Sequence, residues 1–390
     1  MSTLNPQQTA AIATGVYRLM NRSVSELQAR GGELGCEDLF DVSDSSRFTG
    51  KSGGLLVWKE ITGFGYVAAG KGPYQGEVLL VTRGTQSKPD WLSNLNIGVQ
   101  MGPGGYPVHA GFNDVWKSFS AEIIAFLRNR NPTTIHCVGH SLGGALANLN
   151  ADYLSAAGAG QIKLYTFGAP RTGVSLFAES LSSRVGNDNI FRVYHAADPV
   201  PMIPVFPFQH APVGGPGLAV KNGNRGLISI DAHLMPSYTS AVASLDWAGL
   251  AAAAREAATS PGKLETWLNN AAAGGGPAIV GSAYALKMIG KVIGWILAKA
   301  GALVIGAVGL ALTGAFTLLD HLAWMLHRAA QFSKEVASHV ESLIVVIFKF
   351  LGRPIIKGAS LTLFFISFVL NLLFRSLQNT SLCALNAVGR

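Results

Sequence analysis

The sequence predicts an α/β fold: a mostly parallel, doubly wound β-sheet followed by an α-helical, partly membrane-length C-terminal region. Three observations predict it. Short β-branched or aromatic runs alternate with helical patterns, one serine stands in a glycine-rich turn between such a run and a helix, and the last third is both apolar and basic. Alternating strands and helices are typical of a parallel sheet covered on both faces. We predict three parts: a helical lead-in at residues 1–50, an α/β domain at 51–270 and a helical tail at 271–390.

The four predicted strands of the sheet are short apolar runs that end at glycine, proline or a polar turn. They lie at residues 78–81, 134–138, 163–167 and 190–194. Between the first two, the segment GFNDVWKSFSAEIIAFLRN has helical spacing and places one apolar face towards the core. That face consists of Phe112, Val115, Trp116, Phe119, Ile123, Phe126 and Leu127. A second helix is predicted to begin at Ser141. Sites on such sheets form where the strands end.

The positive charge of the chain is concentrated in the tail. Residues 271–390 contain ten lysines and arginines against three acidic residues, whereas residues 1–270 contain 20 against 19. The tail also has uncharged runs of 20 residues at 300–319 and 17 residues at 358–374. The first is long enough to cross a bilayer and the second is marginal. Basic residues attract anionic head groups, so the tail predicts membrane contact; the alternative is a helical domain with a buried core.

The cysteines and the N-terminus predict a protein made in the cytoplasm. Cys36, Cys137 and Cys383 are too few and too scattered for a disulfide framework or a metal cluster. The N-terminus lacks the basic and apolar regions of a secretory signal peptide. The sequence indicates no cofactor, metal, nucleotide or nucleic-acid site.

The motif Gly139-His140-Ser141-Leu142-Gly143 lies between a predicted strand and a predicted helix. A G-x-S-x-G sequence in that context is typical of the nucleophile elbow of an α/β-hydrolase. The helix N-terminus there favours a developing negative charge. The alternative is a serine that caps a helix after a glycine turn.

A serine nucleophile needs a histidine and an acid, which follow it in the order Ser, acid, His on an α/β-hydrolase sheet. Asp198 follows the strand at 190–194 and is therefore the predicted acid, although an aspartate also suits an ordinary turn. Asp188 precedes that strand and is expected at the opposite edge. His210 and His233 remain as bases, and we favour His233 because it precedes a helical segment, whereas His210 lies in a loop rich in proline and glycine.

Two groups are predicted to donate hydrogen bonds to the oxyanion. One is the backbone N–H of Leu142, the residue after the nucleophile. The other is Thr85, which follows Gly84 at the end of an early strand.

The combination of motifs resembles the class 3, or fungal-type, lipases. The matching pieces, between residues 52 and 242, are VTRGT with DWLSNL, VHAGF, VGHSLGGALA, YTFGAPRTG, RVYHAADPVPMIP and AHLMPSY. The resemblance implies Ser141 as nucleophile, Asp198 as acid, His233 as base, Thr85 with Leu142 as oxyanion hole, and no cofactor. It also implies a lid at residues 86–105, whose lipid-contacting side chains would be Trp91, Leu92, Leu95 and Ile97.

Three functions are consistent with the sequence. The first is a serine lipase or phospholipase that acts on membrane lipids, with the tail at residues 271–390 bound to a membrane. Without a signal peptide, such a chain looks like an antibacterial lipase effector, which would be exported by a signal-independent secretion apparatus and have an immunity or chaperone partner. The second is a membrane-inserting or pore-type protein in which the hydrolase domain is secondary, and the third is a soluble esterase or thioesterase.

Overall fold

The structure is a computed structural model. It describes residues 2–20, 22–30, 33–52, 60–84, 98–205, 207–215, 217–220, 227–255, 261–274, 279–301, 317–356 and 359–388. The described part of the chain forms one large mixed sheet, one small antiparallel sheet, and helices on both faces of the large sheet.

The strands of both sheets are numbered in chain order. They are β1 (Phe40–Asp41), β2 (Arg47–Ser52), β3 (Glu60–Gly70), β4 (Glu77–Thr82), β5 (Val99–Met101), β6 (Pro107–His109), β7 (Thr134–His140), β8 (Gln161–Phe167), β9 (Gly173–Val174), β10 (Ile190–His195), β11 (Phe208–Gln209) and β12 (Leu218–Val220).

The α-helices of the described residues are numbered in the same way. They are α1 (Pro6–Gly15), α2 (Val24–Gln28), α3 (Ala110–Lys117), α4 (Ser120–Leu127), α5 (Leu142–Ala156), α6 (Ser175–Val185), α7 (Met235–Val242), α8 (Trp247–Arg255), α9 (Pro261–Ala273), α10 (Ala283–Lys299), α11 (Leu318–Ala330), α12 (Lys334–Phe350) and α13 (Leu363–Ala387).

The large sheet confirms the predicted α/β-hydrolase fold class. Its strand order is β1-β3-β4-β7-β8-β10-β12, with β2 also paired to β3. The strands from β4 to β12 run parallel, and they include all four strands predicted from the sequence. Every residue of β7 is buried, as expected for a central strand covered on both faces. Alternate residues of β4 enter opposite cores, Val78 and Leu80 on one side and Leu79 and Val81 on the other.

The first 50 residues contribute strands as well as helices. The structure places α1 and α2 there and adds β1 and β2 to the edge of the large sheet. Both strands pair antiparallel with β3. Residues 40–52, which contain β1 and β2, are rich in serine and charged residues and lack the apolar runs of the central strands, so they do not show a strand pattern.

The helical segment predicted at residues 111–129 is two helices, α3 and α4. The helix breaks where Ser118 donates its hydroxyl to the Val115 carbonyl, a bond that competes with the helical pattern. Phe119 then turns into the core and stacks on Phe48 and Phe64, with ring centroids 4.9 and 5.8 Å apart. Most of the predicted apolar face is therefore buried, with Phe126 and Leu127 half-buried, but the face belongs to two short helices instead of one.

The tail forms a bundle of helices that is continuous with the α/β core. Side chains of α9 to α13 belong to the same buried cluster as β4, β7 and α5. The predicted boundary between residues 270 and 271 falls inside α9, and the three-part division stays a prediction. Most of the apolar run at 300–319 lies outside the described residues.

The second apolar run of the tail lies largely in α13. Among the described residues, α13 alone is long and apolar enough to cross a bilayer, with a mean hydropathy of 1.2. Packed helices of globular proteins also meet that criterion. One stripe of α13, which includes Ile366, Leu370 and Leu377, is buried against the neighbouring tail helices.

Candidate active site

Ser141 lies in a strained turn between β7 and α5. Among the described residues, Ser141 is the one non-glycine residue with a positive φ. Its φ is 60° and its ψ is −133°. The flanking glycines permit this turn because a Cβ on Gly139 would lie 2.2 Å from the Gly143 carbonyl oxygen, and one on Gly143 would lie 2.2 Å from that of Thr82. A strained residue at a strand-to-helix turn is the geometry of a nucleophile elbow.

Ser141, His233 and Asp198 form one continuous chain of hydrogen bonds. Nε2 of His233 lies 2.9 Å from Oγ of Ser141, and Nδ1 of His233 lies 2.8 Å from Oδ2 of Asp198. Because the ionised carboxylate only accepts, Nδ1 carries the proton and Nε2 is left to accept one from the serine. Ser141 lies in the turn after β7, Asp198 in the turn after β10 and His233 in the short helix Asp231–His233, and all three meet at the carboxyl end of the sheet.

The Asp198 carboxylate is fixed by two further donors. The Val200 N–H donates to Oδ1 across 2.9 Å, and the Tyr238 hydroxyl donates to Oδ2 across 2.7 Å. Tyr238 is itself oriented by the N–H of His195, 3.1 Å from its hydroxyl oxygen. Burial and the nearby carboxylate raise the pKa of Tyr238 well above its ordinary value, so this hydroxyl stays a donor.

His140 lies next to the nucleophile but faces a different network. Its Nε2 donates to the backbone carbonyl of His233 across 2.8 Å, and its Nδ1 accepts from the Tyr17 hydroxyl, also across 2.8 Å. Burial, together with the neighbouring His233 ring, holds the pKa of His140 well below its ordinary value. The neutral ring therefore connects the N-terminal segment to the backbone of the residue predicted to act as base.

The strand end that precedes Thr85 lies directly against Ser141. The Gly84 N–H donates to the Tyr17 hydroxyl across 3.0 Å, and Arg83 donates to the Gly84 carbonyl across 2.7 Å. A Cβ on Gly84 would lie 3.0 Å from the Cβ of Ser141. Thr85 lies outside the described residues, so its predicted role in the oxyanion hole stays a prediction.

Leu142 occupies the position predicted for the other oxyanion donor. It is the first residue of α5, and N–H groups in the first turn of a helix have no partner within the helix. Its role in the oxyanion hole stays a prediction as well.

The side chains of Ser141, His233 and Asp198 are completely buried. A substrate can therefore reach the serine only after some part of the chain that covers it moves. The lid was predicted at residues 86–105, and its part at 86–97, with Trp91, Leu92, Leu95 and Ile97, lies outside the described residues. The remainder forms β5 and a turn anchored by the Gly104 N–H, which donates to Asp152 across 2.7 Å.

The alternatives to His233 and Asp198 lie elsewhere. Nε2 of His210 donates to the Pro201 carbonyl across 2.8 Å. Asp188 lies in a short helix before β10, at the opposite edge of the sheet, as expected. Sequence reasoning did not identify Tyr17 and Tyr238 as residues of the site, and it did not identify the structural role of His140. The sequence separations of these contacts, 123 residues for Tyr17 and His140 and 40 for Tyr238 and Asp198, explain why.

A group of possible metal ligands lies on the tail helices. Ligand atoms of Glu265, Glu335 and His339 lie within 4.8 Å of one another. Lys299 forms an ion pair with Glu335 and already supplies a positive charge there. This group belongs to α9 and α12 in the tail.

The geometry agrees with the comparison to known families. Residues 79–208 match the family model Lipase (class 3). This segment contains the elbow and Asp198, whereas His233 follows it.

Related proteins with curated descriptions carry similar names. A secreted mono- and diacylglycerol lipase 1 of Fusarium solani is 37% identical over 158 residues, which cover 38% of this chain and 46% of that protein. A secreted mono- and diacylglycerol lipase A of Penicillium cyclopium is 32% identical over 159 residues, which cover 39% and 50%. The chain thus spans about half the length of the curated relatives it matches.

Solved structures of fungal lipases are also similar. Nonglycosylated Yarrowia lipolytica LIP2 lipase matches with a TM-score of 0.41 and 20% identity, covering 56% of this chain and 79% of that one. A lipase from Rhizopus microsporus var. chinensis matches with a TM-score of 0.38 and 22% identity, covering 55% and 72%.

Proposed function

We propose that the chain is a serine carboxylic ester hydrolase that acts on acyl lipids, with Ser141 as nucleophile, His233 as base and Asp198 as the acid that orients the base. One observation carries the proposal: the unbroken hydrogen-bond chain from Asp198 through His233 to a serine with positive φ. Structural serines and histidines seldom combine a strained backbone with this arrangement, which activates an otherwise weak nucleophile.

In the first step, Oγ of Ser141 attacks the acyl carbonyl of the ester while Nε2 of His233 takes the serine proton. The imidazolium that forms is stabilised by Asp198, which keeps its negative charge. The tetrahedral oxyanion is stabilised by the N–H of Leu142 and by Thr85. His233 then gives its proton to the departing alcohol oxygen, and the acyl group remains on Ser141.

In the second step, water replaces the alcohol. His233 takes a proton from that water, the resulting hydroxide attacks the acyl-enzyme carbonyl, and the same oxyanion donors stabilise the second tetrahedral intermediate. The proton returns to Oγ of Ser141 as the fatty acid leaves. Every step uses side chains and backbone groups of the chain itself.

Two observations support a lipid substrate. The relatives are named as mono- and diacylglycerol lipases, and the buried position of Ser141 suits an enzyme that opens at a lipid surface. The basic, apolar tail further supports phospholipids of a membrane as substrates and residues 271–390 as the membrane-binding part. The lid at residues 86–105 belongs to the same proposal.

The test is fatty-acid release by the full chain. We would compare phosphatidylglycerol/phosphatidylethanolamine vesicles, a diacylglycerol emulsion and a triacylglycerol emulsion. Ser141→Ala should lower kcat by about 10⁴-fold to 10⁶-fold, as loss of a serine nucleophile does in serine hydrolases. Ser182→Ala, which removes another buried serine hydroxyl on α6, is the matched control and should keep its activity.

The outcomes separate the candidate functions. Release from vesicles that Ser141→Ala abolishes supports a phospholipase, and release from emulsions alone supports a glyceride lipase. Activity on short dissolved esters alone would favour a soluble esterase or thioesterase. Dye release from vesicles that Ser141→Ala leaves unchanged would instead favour the pore-type function.

The effector hypothesis has its own test. Directed to the bacterial periplasm, the chain should be toxic and Ser141→Ala should be harmless. Equal toxicity of the two chains would contradict the effector hypothesis. It would also remove the reason to propose an immunity partner and signal-independent export.

A further inference from the structure

The tail helices are hydrogen-bonded to the loops that carry His233 and Asp198. The Ile228 N–H donates to the Gly281 carbonyl across 3.2 Å, and the Gly281 N–H donates to the carbonyl of Phe350, the last residue of α12, across 3.0 Å. The Ser229 N–H donates to the Ala197 carbonyl, next to Asp198, across 2.9 Å. The end of α12 therefore lies beside the two loops that complete the site.

Large apolar side chains around this junction are exposed. Leu227 is 53% exposed and Val280 is 45% exposed, while Ile355 and Ile356, in the turn after α12, are 37% and 51% exposed. Two contacts connect the segments that carry them: Leu227 is bridged to Ser282, two residues after Val280, and a Cβ on Gly352, three residues before Ile355, would lie 3.5 Å from Cγ1 of Val280.

The first turn of α13 extends the same surface. The ring of Phe365 stacks on that of Phe348 near the end of α12, with centroids 6.4 Å apart. Its neighbour Phe364 is 83% exposed. The helix α13 also packs against the turn that ends at His233. We call Leu227, Val280, Ile355, Ile356 and Phe364 the apolar rim. Several large apolar side chains exposed around one junction of a folded protein indicate an interaction site.

The charge of the surrounding chain indicates the partner. Residues 279–301 and 349–388 contain seven lysines and arginines and no aspartate or glutamate, although Lys299 is paired with Glu335 and the nearby Asp231 is exposed. Arg353 is exposed within the turn that carries Ile355 and Ile356. Exposed apolar side chains combined with basic residues of one sign bind the interface of an anionic bilayer, where the apolar groups enter the acyl boundary and the cations contact the head groups.

We propose that the apolar rim docks the protein on an anionic phospholipid bilayer, which places the Ser141 site at the lipid surface. This inference rests on the proposed function for its biological meaning, but docking itself does not require hydrolysis. It differs from a membrane-spanning tail, because the rim lies at one end of packed helices whose buried stripes stay within the protein.

The test is vesicle flotation of the full chain in the Ser141→Ala background, which keeps the lipid intact. We expect the protein to bind phosphatidylglycerol/phosphatidylcholine vesicles at least about tenfold more tightly than phosphatidylcholine alone. The double variant Ile355→Ser/Ile356→Ser should weaken binding to the anionic vesicles at least about tenfold. Arg353→Glu should reduce the preference for anionic lipid.

Leu176→Ser is the matched control because Leu176 is an exposed apolar residue on α6, in the α/β part of the chain. It should bind like the parent, and circular dichroism of all variants should match. Equal binding by the rim variant and the parent, or equal binding to the two lipid mixtures, would overturn the proposal. If binding depends on the rim but the wild-type chain hydrolyses neither lipid nor dissolved ester, docking stands and the proposed enzymatic function fails.

Discussion

The Tyr17 hydroxyl donates to Nδ1 of His140 across 2.8 Å, and the same oxygen accepts the Gly84 N–H across 3.0 Å. One hydroxyl from the N-terminal segment thus joins the strand end before Thr85 to the residue before the nucleophile. Burial raises the pKa of Tyr17, so the hydroxyl remains protonated. We therefore predict that Tyr17 is a positioning residue for the proposed oxyanion hole.

We predict that Tyr17→Phe lowers kcat by about tenfold, less than the loss of a direct oxyanion donor, because Tyr17 acts through Gly84 and His140. KM should change little, since no substrate contact is lost. The measurement is steady-state kinetics on a dissolved short-chain ester.

Tyr74→Phe is the control for Tyr17. Tyr74 is a buried tyrosine near Glu77, at the opposite end of β4 from Gly84. Its loss should leave kcat unchanged. Equal kcat losses in the two variants would assign Tyr17 a general structural role.

Gly168 permits the contact between Asp198 and His233. It has φ 56°, and a Cβ there would lie 2.7 Å from Oδ2 of Asp198 and 3.1 Å from Nδ1 of His233. We predict that Gly168→Ala lowers kcat/KM by at least about 100-fold, because displacements of about 1 Å have effects of that size.

The matched control for this glycine is Gly158. It has φ 64° and no atom within 4 Å of its Cβ position. Both alanine variants should lose about 1–2 kcal/mol of stability, because alanine is strained in the left-handed backbone conformation. Thermal unfolding measures this loss. If Gly158→Ala loses as much activity as Gly168→Ala, backbone strain and not the triad contact explains the effect.

The sequence predicted the parts of the site that depend on strand ends and chain order. Ser141, Asp198 and His233 each follow a local signal, and their meeting follows from the parallel sheet. Tyr17 has no such signal, because its hydroxyl reaches the site from the distant N-terminal segment. Tyr238 stands five residues after His233, but no local pattern indicates that its hydroxyl reaches Asp198. His140 adjoins Ser141 in the sequence, but its contacts depend on a ring orientation that no sequence pattern encodes.

The tail shows a different limit of sequence reasoning. Hydropathy and length cannot distinguish a membrane-spanning helix from one packed in a large core, since both are apolar. In α13, Leu370 and Leu377 lie in a buried stripe, whereas Phe364 and Phe368 are exposed. The antiparallel edge strands β1 and β2 were not predicted for the opposite reason: they are too short and too polar to show a pattern.

Buried histidines make stability sensitive to mild acid. Burial lowers the pKa of His136, His140, His195 and His210 in the folded chain. In the unfolded chain they titrate near pH 6.5. Below about pH 6.5 the unfolded state therefore binds protons that the folded state does not, and stability falls as the pH falls.

We predict a decrease in the free energy of unfolding between pH 6.5 and 5, of up to about 1.4 kcal/mol per pH unit for each histidine. Urea titrations at several pH values measure it. His140→Asn should reduce the slope of unfolding free energy against pH by the contribution of one histidine. Stability that is flat or rises over this range would show that these rings protonate within the fold.

The continuous core predicts that the tail and the α/β domain unfold together. Ile296 of α10 and Val346 of α12 are completely buried in the same cluster as Ile135 and Cys137 of β7. Ile296→Ala should therefore destabilise the protein by about 2–5 kcal/mol in a single transition, seen at the same urea concentration by tryptophan fluorescence and by loss of ester hydrolysis. Leu245→Ala, at an exposed position after α7, should shift that transition little. The contrary result would be two separate transitions, of which Ile296→Ala shifts only the one that does not abolish hydrolysis. That result would show that residues 271–390 are an independent folding unit.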